Sequence, residues 1–133
     1  MEKIDNSELL TRYLFEKNHF AGTDGRVKYG AFMPKQNEGT LLYETSVFRT
    51  LGLLDDGIWK IGLEFAQGDR KLKGRADITV QAVEDSRLQA IKKEPPERHA
   101  DIVGWPSELL DQKVIARQLA ASSELHLRHD ENS

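Results

Sequence analysis

The chain has no cysteine. That removes disulfides, thiolate nucleophiles and zinc–sulfur centres together, and points to a reducing, cytoplasmic setting. No apolar run approaches the eighteen or so residues that a membrane span needs, and Met1-Glu2-Lys3-Ile4-Asp5 lacks a signal-peptide core, so no membrane partner is expected. A basic excess is missing as well. Formal net charge is −3, which argues against a general nucleic-acid coat protein. No Walker loop, dinucleotide-type glycine run, HExxH, GxSxG or EF-hand loop is present, so neither a cofactor nor a metal is expected. Proline is scarce, and three of the four lie in one stretch, Glu94 to Pro106.

What remains is a chain of 133 residues, 38% apolar and 31% charged, enough for one domain with its own core. Residues 1–128 are expected to form a single globular α+β domain, and 129–133 a polar, disordered tail. The charge is uneven: Arg70, Lys71, Lys73 and Arg75 fall within six residues, a phosphate-contact candidate if the loop is not merely solvated.

Asp5 to Asn18 reads as a helix. Asp5 and Glu8 have capping-box spacing, Ile4 and Leu9 staple spacing, and Leu9, Leu10, Tyr13 and Leu14 make a stripe. Arg26 to Met33 alternates and reads as a strand, with Thr40 to Thr50 as its hairpin partner. In the second strand Tyr43, Val47 and Arg49 share one face, and Ser46 and Phe48 the other. Residues 55–67 are ambiguous, alternating at Trp59, Ile61, Leu63 and Phe65 yet carrying helix caps; the reading taken is helix. Residues 70–75 are a loop, 76–83 and 88–92 a second hairpin, and Asp101 to Val103 a short strand. Pro95-Pro96 is expected to be extended and stiff. Ser107 is placed to cap a last helix to about Ser123, with Leu125 and Leu127 extended after it. The architecture is therefore an antiparallel sheet of four to five strands with helices packed mainly on one face.

The runs Glu44-Thr45-Ser46-Val47-Phe48-Arg49, Lys73-Gly74-Arg75-Ala76-Asp77 and Arg98-His99-Ala100-Asp101-Ile102-Val103-Gly104-Trp105-Pro106 resemble those of a group of small uncharacterised bacterial proteins. The similarity spans most of the chain. It implies a bacterial-type stand-alone domain and carries no activity and no catalytic residue with it.

His99, beside Arg98 and two residues before Asp101, is the sharpest chemical feature. A histidine moves protons near neutral pH, a carboxylate can fix its tautomer, and an arginine can grip a phosphate or carboxylate. The bland alternative is that His99 bonds the backbone of its own proline-rich loop. Arg26, Arg49 and Arg75 sit near strand ends and would line an anion pocket with Arg98 if those ends meet; otherwise they pair with Glu44, Glu64 and Asp77. Trp105 offers an aromatic wall, or core packing. His126 and His129 have metal-like spacing but lie next to the tail.

The leading expectation is a domain that binds an anionic ligand, a nucleotide or nucleic-acid phosphate, through Arg26, Arg49, Arg75, Arg98, His99 and Trp105. A metal-independent enzyme acting on a phosphodiester or glycosidic bond with His99 as acid or base is the second reading. A protein–protein module partnering a toxin or enzyme is the third.

Overall fold

The computed structural model describes residues 2–66 and 68–128. In chain order it contains β1 (Leu9–Leu14), β2 (Phe20–Ala21), β3 (Arg26–Val27), β4 (Lys35–Gln36), β5 (Tyr43–Arg49) and α1 (Asp55–Phe65). There follow β6 (Gly74–Thr79), α2 (Val80–Asp85), β7 (Gln89–Lys92), β8 (His99–Val103), α3 (Leu109–Ser122) and β9 (Glu124–Leu127). The main sheet runs β7-β8-β5-β1-β6-β9, every pairing antiparallel, with β4 also joined to β5. The class is α+β.

The segment read as a first helix is instead β1, in the middle of the sheet. Leu10 and Leu14 enter the main core, while Tyr13 and Phe15 enter a second cluster with Ile58 of α1. A strand buried on both faces shows no alternation, and a run of apolar residues then imitates a helical stripe. Asp5 does not cap a helix; its carboxylate accepts from the Ser7 amide and hydroxyl in a local turn.

Neither expected hairpin forms as read. Arg26–Val27 pairs back onto Phe20–Ala21, and Tyr29–Ala31 is a 3-10 turn packed under His19. The partner of Tyr43–Glu44 is Lys35–Gln36, closed by Asn37, whose side-chain oxygen accepts from the Gly39 and Thr40 amides. In the second case β6 begins at Gly74, inside the presumed loop, and ends where Thr79 Oγ1 caps α2 by accepting from the Ala82 amide at 3.1 Å. Ile78 and Val80 are both buried, but the first is strand and the second helix, so β7 is carried to the far edge beside β8. The stretch expected to be extended is instead a bend at Pro95 and Pro96 followed by a turn at Glu97 and Arg98; both prolines follow cis peptide bonds. Ser107 precedes the helix without capping it: α3 starts at Leu109 after Glu108. The helix at 55–65, the strand over 101–103 and the extension at Leu125 and Leu127 stand as read. The tail from His129 lies outside the described residues.

Two of the three helices, α2 and α3, cover the apolar face of the sheet together with Val47, Ile78, Ala100 and Ile102. The other face is covered by α1 over only part of its width, and it carries polar residues from several strands: Thr11, Ser46, Asp77, His99 and Asp101. No helix among the described residues is long and apolar enough to cross a membrane.

Gly62 marks where α1 presses on β1. A Cβ there would come within 2.5 Å of Tyr13 Cδ1 and 2.9 Å of Leu72 Cδ2. Gly62→Ala therefore sets a helix-propensity gain of about 1 kcal/mol against an overpacking cost of about 1–3 kcal/mol. The crowding atoms, on the Tyr13 ring and Leu72, belong to a packed cluster, so the cost should win. A melting temperature several degrees lower, read by circular dichroism, is expected; a rise would show that α1 is not seated on Tyr13.

Candidate functional site

Period two places His99 and Asp101 of β8 on the polar face, and the register with β5 sets Ser46 opposite Asp101 and Phe48 opposite His99. The His99 ring meets Phe48 edge-on, with centroids 5.2 Å apart. Its Nδ1 lies 2.9 Å from the Lys93 carbonyl oxygen and its Nε2 2.6 Å from Ser46 Oγ. A carbonyl only accepts, so Nδ1 carries the proton, and in the neutral ring Nε2 accepts from the Ser46 hydroxyl. Lys93 is itself fixed to β8 by its amide, which donates to the His99 carbonyl at 2.9 Å. Asp101, expected to set the tautomer, sits on the other side of the ring, with Oδ1 3.9 Å from Nε2. The backbone carbonyl has taken that role.

A second feature comes from the sheet itself. β1 and β5 pair only at Leu10↔Arg49 and Thr11↔Phe48. Past that point the Arg12 side chain replaces the ladder, with Nη1 donating to the Ser46 carbonyl at 3.0 Å and Nε to the Ala31 carbonyl at 2.9 Å. Beside this fork opens a cleft of about 480 Å³ that includes Arg12, Lys35, Arg70 and Lys93 as cations, Glu44 and Asp101 as acids, and Ser46 and His99. Burial, and then the charge of Arg70, push the Arg12 guanidinium down to about 10. Burial, and then the charge of Glu44, hold the Asp101 carboxyl above its ordinary range. By formal charge, four cations face two carboxylates in this lining.

The other nominated residues lie elsewhere. Arg49 is held by Glu8 through two bonds, Nε to Oε1 at 3.1 Å and Nη2 to Oε2 at 2.6 Å. Arg98, at φ 70°, donates from Nη1 to the Arg49 carbonyl at 3.1 Å and from its amide to Glu94. These two arginines meet each other but support the chain rather than open onto the His99 cleft. Arg75 is 2% exposed, bonded to Asp55 at 2.8 Å and Asp77 at 3.3 Å, with its guanidinium 4.6 Å over the Trp59 ring. Arg26 is exposed beside Asp24 and borders a different hollow, near His19 and Arg117. Trp105 belongs to the main core, its indole N–H donating to the Ile102 carbonyl at 3.1 Å, so it is no wall for a ligand. Its position between Gly104 and Pro106 tucks it under the end of β8. His126 bonds Glu124 at 2.8 Å and lies 3.5 Å from Asp77; His129 lies outside the described residues.

Of the six residues nominated from sequence, only His99 lines this cleft. Arg12 was hidden by the helical reading of its segment. Ser46 had a signal: alternation already set it with Phe48 on the face opposite Val47.

Asp101 provides a check. Its folded-state value is raised, so ionisation opposes folding: its contribution is favourable at low pH and is lost as pH rises through that raised value. Asp101→Asn is accordingly expected to melt higher than the parent near neutral pH. The advantage should shrink as pH falls through the raised value toward the ordinary 3.8. Melting curves across that range read the effect, and a constant or negative difference would mean that Asp101 is well compensated.

Set against protein-family models, curated proteins and solved structures, the chain matches none of them.

Proposed function

We propose that this chain is a small domain that binds an anionic ligand, a phosphate- or carboxylate-bearing molecule, in the cleft between Arg12 and His99. One observation carries the reading. Arg12 is a half-buried guanidinium whose two hydrogen bonds both go to backbone carbonyls, and it has no carboxylate partner among the described residues. A buried charge without a counter-charge is costly, and Arg70 adds repulsion. An anion placed there would compensate both. Lys35, Arg70 and Lys93 extend the positive lining toward solvent, the arrangement that steers an anion inward. Ser46 and His99 add further hydrogen-bonding groups to the lining. The lack of cysteine and the resemblance of three sequence runs to small bacterial proteins support a bacterial, cytoplasmic setting.

Calorimetric titration with inorganic phosphate and with nucleoside monophosphates tests this. Arg12→Met is expected to weaken binding at least about tenfold, the scale of one charge-assisted contact. Its melting temperature is expected to fall modestly, because the variant relieves a buried charge but leaves the Ser46 and Ala31 carbonyls without their donor, and circular dichroism establishes that it folds before titration. Affinity in the parent should fall as salt is raised. Equal phosphate affinity in parent and variant would sink the proposal.

A further inference from the structure

We infer that the cleft is also catalytic: Ser46 is a nucleophile activated by His99, acting on an ester whose acyl part carries an anionic group. The choice of substrate class rests on the proposed anion site; the dyad itself rests on geometry alone. A serine hydroxyl is a weak nucleophile unless a base lies within hydrogen-bond reach and is itself oriented by a third group. Both conditions are met. Ser46 Oγ is 2.6 Å from His99 Nε2, and Nδ1–H is tied to the Lys93 carbonyl at 2.9 Å, leaving the Nε2 lone pair for the serine proton. Phe48 backs the ring, so the imidazole is held on a rigid strand with its working nitrogen toward the cleft residues. A hydrogen bond that only joined β5 to β8 would not need an opening beside it lined by cations. Arg12 Nη1 donates to the backbone carbonyl of Ser46, so a guanidinium lies beside the nucleophile's own residue.

The chemistry balances without a co-reactant other than water. Ser46 Oγ forms a bond to the ester carbonyl carbon while its proton passes to His99 Nε2. The carbonyl oxygen takes the negative charge. As the carbon–oxygen bond to the alcohol breaks, the Nε2 proton goes to the departing alkoxide, leaving acyl-Ser46 and free alcohol. Water then gives its proton to Nε2 and adds to the acyl carbon. Ser46 departs, recovers that proton, and the acid is released.

The test treats the full chain with a fluorophosphonate, which phosphonylates activated serines, and locates the adduct by mass spectrometry. Hydrolysis of the mono-p-nitrophenyl ester of succinic acid is followed alongside. Labelling at Ser46 is expected in the parent. It should vanish in Ser46→Ala and slow at least about 100-fold in His99→Ala, the usual contribution of a positioned base. Ester hydrolysis should follow the same order. Melting curves establish that each variant folds. Should His99→Ala fail to fold, labelling of the parent in native buffer and in urea decides instead, because an activated serine loses its reactivity when the dyad is dispersed. No adduct at Ser46 in the native parent, or equal labelling in urea, overturns the inference. If phosphate binds through Arg12 but Ser46 stays unlabelled, the dyad falls and the binding reading stands. If Ser46 is labelled and phosphate neither binds nor protects it, the dyad stands and the anion site falls.

Discussion

β1 and β5 run side by side for only two residue pairs, Leu10↔Arg49 and Thr11↔Phe48, and the candidate site follows from that brevity. A full ladder would have used the Ser46 carbonyl as a backbone acceptor and closed the sheet. Buried backbone carbonyls demand a donor, and here the donor is a side chain reaching across from β1. The guanidinium suits the task because its planar fork serves two acceptors at once, the Ser46 and Ala31 carbonyls. The substitution has a consequence that a peptide N–H would not have: it brings a full positive charge into the sheet. A structural gap is thereby turned into an electrostatic feature.

The two faces of the sheet handle polarity differently. On the main-core face, Leu10, Val47, Ile78, Ala100 and Ile102 are packed without charge. On the other, Thr11 Oγ1 bonds Thr50 at 2.8 Å and donates to Asp77 at 2.7 Å, Asp77 bonds Arg75, and Arg75 bonds Asp55. That chain shows what a compensated buried arginine looks like in this protein: two carboxylates and the face of Trp59. Removing Arg75 would leave Asp77 without its cation, whereas Asp55 is exposed and solvated by water. One Arg75 nitrogen, Nη1, is buried without a hydrogen-bond partner among the described residues, so even here compensation is incomplete. Arg12 has none of these partners. The contrast between two arginines on neighbouring strands is what singles out the cleft.

How much of this could be read from the residues depended on whether a local signal agreed with burial. α1 was legible because Asp55 and Asp56 stand at its start and Ile58, Ile61 and Phe65 fit helical spacing, although Trp59 to Phe65 also alternates. β1 was not, because its two buried faces erase the period that would reveal a strand. The 26–33 alternation was real in sequence, but Gly30 lets the backbone close under His19, and the extended run stops at Val27. In the candidate site, His99 and Asp101 were nominated together only from their closeness in sequence; the expected strand began at Asp101, and period two joins the pair because β8 starts at His99. Their partners across the ladder, Ser46 and Phe48, needed the register, and register between segments 53 residues apart is set by long-range packing rather than by either strand alone. Arg12 shows the hardest case: its role exists only because two strands separate, which no single segment encodes.

The parts of the cleft differ in stiffness, and that bears on how a ligand would act. Ser46 and His99 project from paired strands, and Arg12 is anchored at both of its donating nitrogens, so these three are held before anything binds. Lys35 and Lys93 are exposed side chains that pay entropy to converge. An anion would first meet the loose outer cations and then the fixed inner one. Each ordered lysine gives back part of the Coulombic gain, which leaves Arg12 as the dominant contact despite being one charge among four. Because the uncompensated guanidinium also weighs against the folded state, a ligand that pairs with it stabilises the fold through the same contact that binds it. An anion bound there would couple binding to folding at one residue, Arg12, which bridges the gap where β1 and β5 part.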